Sequence, residues 1–323
     1  MSARSVEDYR APLFLPWQLT NRCRARCIAC CEESGPRAAW RDELTADEAK
    51  RLARDIAAAD IPYVAFGGGE PMGVPHAWEI FEVLAAAGVA IKLETEGSYI
   101  DEAAADRLAA LPVQCIQISV DGATAATHER MRPGASFASA TAALRRLAAR
   151  GTKPQMVFVP TRLNLAEIGA AYDLAAELGC DVFVTGPLMR LGRAALDWAQ
   201  LAPSPEAWRD AAAKLQAHAA ATGSPVKLSI YPWDIVTEVA TRLENPQAML
   251  LVVPNGKVKL LNALPFAPAD LRRDGLEAAW DAYRAAWRSA EVRDFVRRCG
   301  EEPALLRHAN ETWALRPESA ALP

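Results

Sequence analysis

Between residues 13 and 195, short β-rich apolar runs alternate with Ala-rich helical stretches, and this alternation constrains the fold more than any other feature. The runs at 13–19, 61–66, 89–95, 113–120, 155–160 and 181–185 have the length and composition of strands. Helices are predicted to open at Thr45 and over 75–88, 101–111, 136–150 and 165–178. Thr45 and Glu48 form a capping-box pattern, in which each side chain satisfies an orphan backbone N–H of the first turn. Crossovers of this length join parallel strands, because a tight turn joins only antiparallel ones. Six βα units fall short of the eight in a closed barrel, so the expected class is α/β, a partial (β/α)6 TIM-like barrel.

Past residue 200 the texture changes. A helix is predicted over 203–221, a strand over 226–231, a hairpin over 250–261 and a Trp-rich helix over 276–289. Asn255–Gly256 suits a two-residue hairpin turn, where both central residues take positive φ. The chain is therefore divided into a barrel core, 1–200, and a smaller α+β extension, 201–323, expected to cover the barrel mouth.

A formal net charge of −4, with the basic pairs Arg272–Arg273 and Arg297–Arg298 interrupted by acids, gives no footprint for nucleic acid. No stretch reaches the roughly 18 uninterrupted apolar residues of a membrane span, and the N-terminus lacks a signal-peptide pattern. A soluble cytoplasmic protein is expected. In that reducing compartment seven cysteines, four of them within nine positions, point to metal binding rather than to disulfides.

The sharpest motif is Cys23-x3-Cys27-x2-Cys30, in the loop after the first strand. Three thiolates can fill three corners of a 4Fe–4S cube and leave the fourth iron open. A structural zinc site needs four protein ligands, usually as two separated pairs, and Cys31 is poorly placed to join Cys30 on one metal. After the second strand comes Gly67-Gly68-Gly69-Glu70-Pro71. Glycines there let backbone approach a ligand, and carbonyls or a carboxylate can accept from an ammonium.

These motifs resemble the radical S-adenosylmethionine superfamily, whose signature has this cysteine spacing and a Gly-Gly-Glu-Pro segment. The resemblance covers residues 13–200 well. It implies one cluster on Cys23, Cys27 and Cys30, with Gly68, Gly69, Glu70 and Pro71 at the methionyl end of S-adenosylmethionine. Ser119 and Asp121 resemble the family's Ser-x-Asp-Gly after strand four. Arg132 follows in a His-x3-Arg-x-Gly stretch, where it could bind the cofactor carboxylate through a bidentate pair. Thr161 and Asn164 end strand five, and Met189, in the Pro187–Ala194 stretch after strand six, could pack on the adenine. Plainer readings also stand: a helix cap for Ser119 or Asp121, a surface charge for Arg132, core for Met189. Glu96 stands where the family commonly has Asn, and is a candidate for reading substrate or ribose. All these positions fall at C-terminal strand ends, where such barrels place their sites.

The remainder faintly resembles the SPASM-type extension of peptide-maturing enzymes, through Val253–Val258 and the run from Ala269 to Trp280. Leu261 stands at an expected auxiliary-cluster cysteine and only Cys299 lies downstream, so no auxiliary cluster is expected. Cys31, Cys115 and Cys180 are expected as small core or loop residues. The implied activity is reductive cleavage of S-adenosylmethionine to a 5′-deoxyadenosyl radical that takes hydrogen from substrate carbon. A flavodoxin- or ferredoxin-type protein would supply the electron. The substrate is a peptide or a small molecule of natural-product or cofactor biosynthesis. The 22 residues before Cys23 leave no room for a fused peptide-recognition domain, which together with the missing auxiliary cysteines favours redox-neutral chemistry or rearrangement. The non-enzymatic alternative is an iron–sulfur or zinc-binding accessory protein on the same fold.

Overall fold

The computed structural model describes residues 5–315. Parallel strands β1 (Leu15–Thr20), β2 (Tyr63–Gly68), β3 (Ala90–Thr95), β4 (Val113–Ser119), β5 (Pro154–Val157) and β6 (Val182–Thr185) pair in sequence order. Between them run α1 (Ala46–Ala58), α2 (Ala77–Ala86), α3 (Glu102–Ala110), then the pair α4 (Ala125–Met131) and α5 (Phe137–Ala149), and α6 (Ile168–Glu177). Each βα unit buries the apolar stripe of its helix on one sheet face. Ile80, Phe81 and Leu84 of α2 and Ala143, Leu144 and Leu147 of α5 are all buried in one core with Phe66, Ile118 and Phe158. The Thr45–Glu48 capping box forms as expected, with Glu48 N donating to Thr45 Oγ1 at 3.3 Å and Thr45 N to Glu48 Oε2 at 2.8 Å.

The sheet does not stop after six strands. Beyond α7 (Gly192–Leu196), α8 (Trp198–Leu201) and α9 (Pro205–Thr222), strand β7 (Lys227–Ile230) adds parallel to β6. After α10 (Ile235–Glu244), β8 (Leu251–Val252) pairs parallel with β1 at the opposite side. A hairpin then joins β8 to β9 (Lys257–Lys259). With β11 (Ala269–Asp270) antiparallel to β9, the order β11-β9-β8-β1-β2-β3-β4-β5-β6-β7 leaves β7 and the far side unpaired with each other, the open, partial barrel expected from the sequence. Strands β10 (Phe266–Ala267), β11 (Ala269–Asp270) and helices α11 (Gly275–Ala286) and α12 (Ala290–Glu301) complete the extension. A 3₁₀ segment, Pro303–His308, leads from α12 to β12 (Trp313–Ala314), which pairs with β10.

The hairpin turn differs from expectation. Only Gly256 takes positive φ, at 80°, and Asn255 does not. Gly256 N donates to Val253 O at 2.9 Å and Val253 N to Lys257 O at 3.0 Å, closing a three-residue loop of Pro254, Asn255 and Gly256. Pro254 presets φ near −65° for the first turn position, which suits a type I turn ending in a left-handed glycine rather than the two-residue form.

Candidate active site at the C-terminal strand ends

The loop after β1 folds over the C-terminal end of the sheet. Cys23, Cys27 and Cys30 line one cavity of about 220 Å³ together with Gly68, Gly69, Glu96, Ser119, Asp121 and Arg132. Strand ends far apart in sequence are thus brought to one chamber, as the motif reading requires. Burial pushes the Cys23 thiol up to about 12 and raises Cys27, where Arg132 partly opposes the effect. The Cys23 and Cys27 thiols, kept from ionising by burial, favour a cationic ligand that takes them as thiolates. Among the described residues no three Cys, His, Asp or Glu side chains converge closely enough for a single ion. Three sulfur donors lining one cavity suit the thiolate corners of an iron–sulfur cluster.

The glycine segment serves the loop as much as the cavity. A Cβ on Gly68, whose φ is 95°, would lie 2.8 Å from Thr20 O and from Gln18 Cβ, and one on Gly69 would run into the Arg22 carbonyl. Gly69 N donates to Thr20 O at 2.7 Å and Glu70 N to Arg22 O at 2.9 Å. These glycines let β2 cross the chain that enters the cysteine loop. Glu70 is 2 % exposed and does not line the cysteine cavity. Its carboxylate accepts from Thr95 Oγ1 at 2.7 Å, Glu96 N at 2.8 Å and Met72 N at 3.0 Å, binding the ends of β2 and β3 together. Burial raises its pKa to about 7 against those hydrogen bonds. Pro71, buried beside it, begins a short 3₁₀ turn. Glu96 is buried at the cavity wall and accepts from Ser98 Oγ.

Asp121 is the hub of the opposite wall. Its carboxylate accepts from Arg132 Nε at 2.6 Å and Val159 N at 2.8 Å, and its backbone N–H donates to His128 Nδ1 at 3.2 Å. Arg132 also donates from Nη1 to Cys27 Sγ at 3.5 Å. Burial works against its charge, but Asp121 and the nearby sulfurs outweigh that and raise its pKa. Burial and the Arg132 charge hold His128 neutral, down to about 4.

Besides Glu70 and Pro71, two more expected residues stand outside this cavity. Thr161 is fully buried, its hydroxyl donating to Asn164 Oδ1 at 2.9 Å in the turn after β5, and Val159 lines the cavity instead. Met189 lines a neighbouring cavity of about 310 Å³ with Lys92, Tyr231 and Leu261. That second space adjoins the first, because Glu32, Gly67, Gly68 and Glu94 line both.

Sequence reasoning missed the residues that clamp the cysteine loop. Arg193 donates from Nε to Cys27 O at 2.6 Å and from Nη2 to Ser34 O at 2.7 Å, and its N–H donates to Cys30 O at 3.0 Å. Asn310 Nδ2 reaches Cys31 O at 2.8 Å and Glu33 at 2.9 Å. Arg193 lay inside the Pro187–Ala194 motif and was the signal available there; Asn310 had none.

Three cysteine thiols and a buried ion pair share one cavity at the C-terminal end of an open parallel barrel. Residues 17–175, about half of the chain, match the Radical SAM superfamily, so the chain carries a radical SAM domain. Such a domain implies a 4Fe–4S cluster and S-adenosylmethionine. Over 206 residues the chain is 36 % identical to the mycofactocin maturase MftC of Mycobacterium tuberculosis, covering 62 % of this chain and 52 % of that protein. It is 32 % identical over 185 residues to the AdoMet-dependent heme synthase of Methanosarcina barkeri, 57 % of this chain and 52 % of that one. The chain thus spans about half the length of these curated relatives. In fold it is similar to Streptococcus suis SuiB bound to S-adenosylmethionine, with TM-score 0.73 and 12 % identity over 97 % of this chain and 78 % of that one. It is also similar to anSMEcpe with bound AdoMet, with TM-score 0.64 and 15 % identity over 92 % and 88 % of the two chains. No helix among the described residues is long and apolar enough to cross a membrane.

Proposed function

We propose that this chain is a radical S-adenosylmethionine enzyme that modifies a peptide, with one 4Fe–4S cluster held by Cys23, Cys27 and Cys30. The observation that carries the reading is the shared cavity, where all three thiols meet Glu96, Ser119, Asp121 and Arg132. When bound, the cluster and S-adenosylmethionine supply the electron transfer and the radical that takes hydrogen from substrate carbon. The protein's part is placement. Gly68 and Glu96 offer acceptors to the cofactor's ammonium, and Arg132, held by Asp121, offers a cation to its carboxylate. Glu70 and Pro71 position that wall, and Ser119 adds a hydroxyl to it. Met189 and Thr161 stand behind the cavity, as packing in the adjoining space and in the turn after β5.

The part of the extension from β10 to residue 315 acts as the cover of the mouth, which the Asn310 contacts to the cysteine loop support. A flavodoxin- or ferredoxin-type protein is the proposed electron donor. A peptide substrate is supported by the maturase among the relatives and by SuiB, whose structure was solved bound to the precursor peptide SuiA. The heme synthase relative keeps a small-molecule substrate as the second reading. Formation of 5′-deoxyadenosine from S-adenosylmethionine by anaerobically reconstituted, reduced protein tests the proposal. Its absence in a protein that carries the cluster would favour a non-catalytic iron–sulfur protein.

A further inference from the structure

A separate trough of about 690 Å³ lies on the same rim and shares no lining residue with the cysteine cavity. It is built from the loop after β6, α8, the first turns of α9, the loop after β7 and Pro303. Five prolines, Trp198 and Trp208 line it. Proline offers no N–H and is rigid, so the surface is apolar and stiff. The trough adjoins the wall of the reaction chamber. Leu188, on its floor, packs with Ile28 and Ala29, and Ala29 lines the cysteine cavity on the other side.

Its charges are unbalanced. The Arg190 guanidinium lies over the Trp198 ring at 5.4 Å, and its buried Nε has no hydrogen-bond partner. Arg209, with 70 % of its side chain exposed, makes only a 3.1 Å bridge to Glu206, three residues before it. Such an exposed bridge holds a guanidinium weakly. The acid on the rim, Asp234, already accepts from Thr237 N at 2.8 Å as the cap of α10. A stiff apolar surface with two available cations complements carboxylates set beside apolar side chains.

We infer that this trough docks an acidic, apolar segment of the substrate peptide, remote from the residue that reacts. The inference rests on the peptide reading above and adds where the peptide is held and by what chemistry. Arg190 and Arg209 bind carboxylates of the segment, while the indoles and prolines take its apolar side chains. Binding energy gained there, away from the reacting carbon, holds that carbon at the chamber wall.

The test uses two fluorescein-labelled synthetic 12-residue peptides, alike in Leu and Phe but one carrying Asp and Glu where the other carries Lys. Binding to the reconstituted protein is read by fluorescence anisotropy. The expected result is saturable binding of the acidic peptide alone. Arg190→Gln and Arg209→Glu should each weaken it about tenfold, the scale of one charge-assisted hydrogen bond. Both variants should keep the wild-type iron content and the response of the cluster spectrum to S-adenosylmethionine, which shows them folded. Equal binding of both peptides, binding of neither, or variants that bind like the wild type would overturn the inference. So would a concentration-dependent dimer lost in Arg209→Glu with no peptide bound, which would assign the trough to a second copy of the chain. Failure of the cluster to respond to S-adenosylmethionine in the wild type would instead count against the proposed enzyme and leave the anisotropy result to be read alone.

Discussion

Replacing Arg193 with methionine keeps roughly the length and volume of the side chain and removes its charge and its donors. Two hydrogen bonds go, to Cys27 O at 2.6 Å and to Ser34 O at 2.7 Å. Cys27 O keeps a 3.3 Å bond from Cys30 N, whereas Ser34 O loses the donor that Arg193 supplied. Hydrogen bonds from a charged group contribute about 1.5–3 kcal/mol each, and the two share one guanidinium, so a loss of about 3 kcal/mol is expected. At about 2 °C per kcal/mol for a chain of this size, Tm of the apo protein should fall about 6 °C. The larger consequence is local. Cys27 and Cys30 sit on the clamped stretch, so iron bound per chain after anaerobic reconstitution should fall further than global stability alone explains. Arg193→Lys, which keeps a cation but loses the fork, should fall between the two. Thermal unfolding and iron analysis check both effects. Wild-type Tm and iron content in Arg193→Met would refute the clamp.

Serine at Cys23, Cys27 or Cys30 should each abolish stable iron binding, while Cys31→Ser and Cys299→Ser should retain it; iron and sulfide analysis decides. Gly69→Ala forces a methyl into the Arg22 carbonyl, and overpacking there should cost about 2–3 kcal/mol and disturb iron loading. Gly151→Ala, where φ is 72° but nothing lies within 4 Å, should cost only about 1 kcal/mol by denaturant unfolding. The Glu48 carboxylate, held at about 2 chiefly by Arg272, has a folded pKa below its unfolded value near 4.5. Its contribution is therefore present above pH 4.5 and lost as pH falls towards 2. With a quarter of the side chain exposed, screening reduces that contribution to about 1 kcal/mol, so Glu48→Gln should flatten the acid limb of the stability profile by about that much.

Local signals were legible and long-range ones were not. The strand starts and the Thr45 box follow from residues within one turn. So does the placement of every main motif at a C-terminal strand end, since that follows from strand polarity. The pairing of β8 with β1 and of β7 with β6 was not readable, because no local pattern says which edge a short strand joins. The three-residue error at the end of strand five has a specific cause. Val159 N is drawn to Asp121, 38 residues away, so the ladder ends at Val157 and Thr161 turns inward. Arg193 and Asn310 reach the cysteine loop across 166 and 279 residues. A basic or amide side chain that grips carbonyls leaves no periodicity to find. Arg132 was expected as a carboxylate binder, and the structure adds its contacts to Asp121 and Cys27.

The most direct test of the account is the electron paramagnetic resonance spectrum of the reduced, anaerobically reconstituted protein before and after S-adenosylmethionine is added, with iron counted on the same sample. The account predicts about four irons per chain and a spectrum that changes on addition, because one iron corner has no protein thiolate. Bound zinc in place of iron, or a cluster whose spectrum ignores the cofactor, would contradict it.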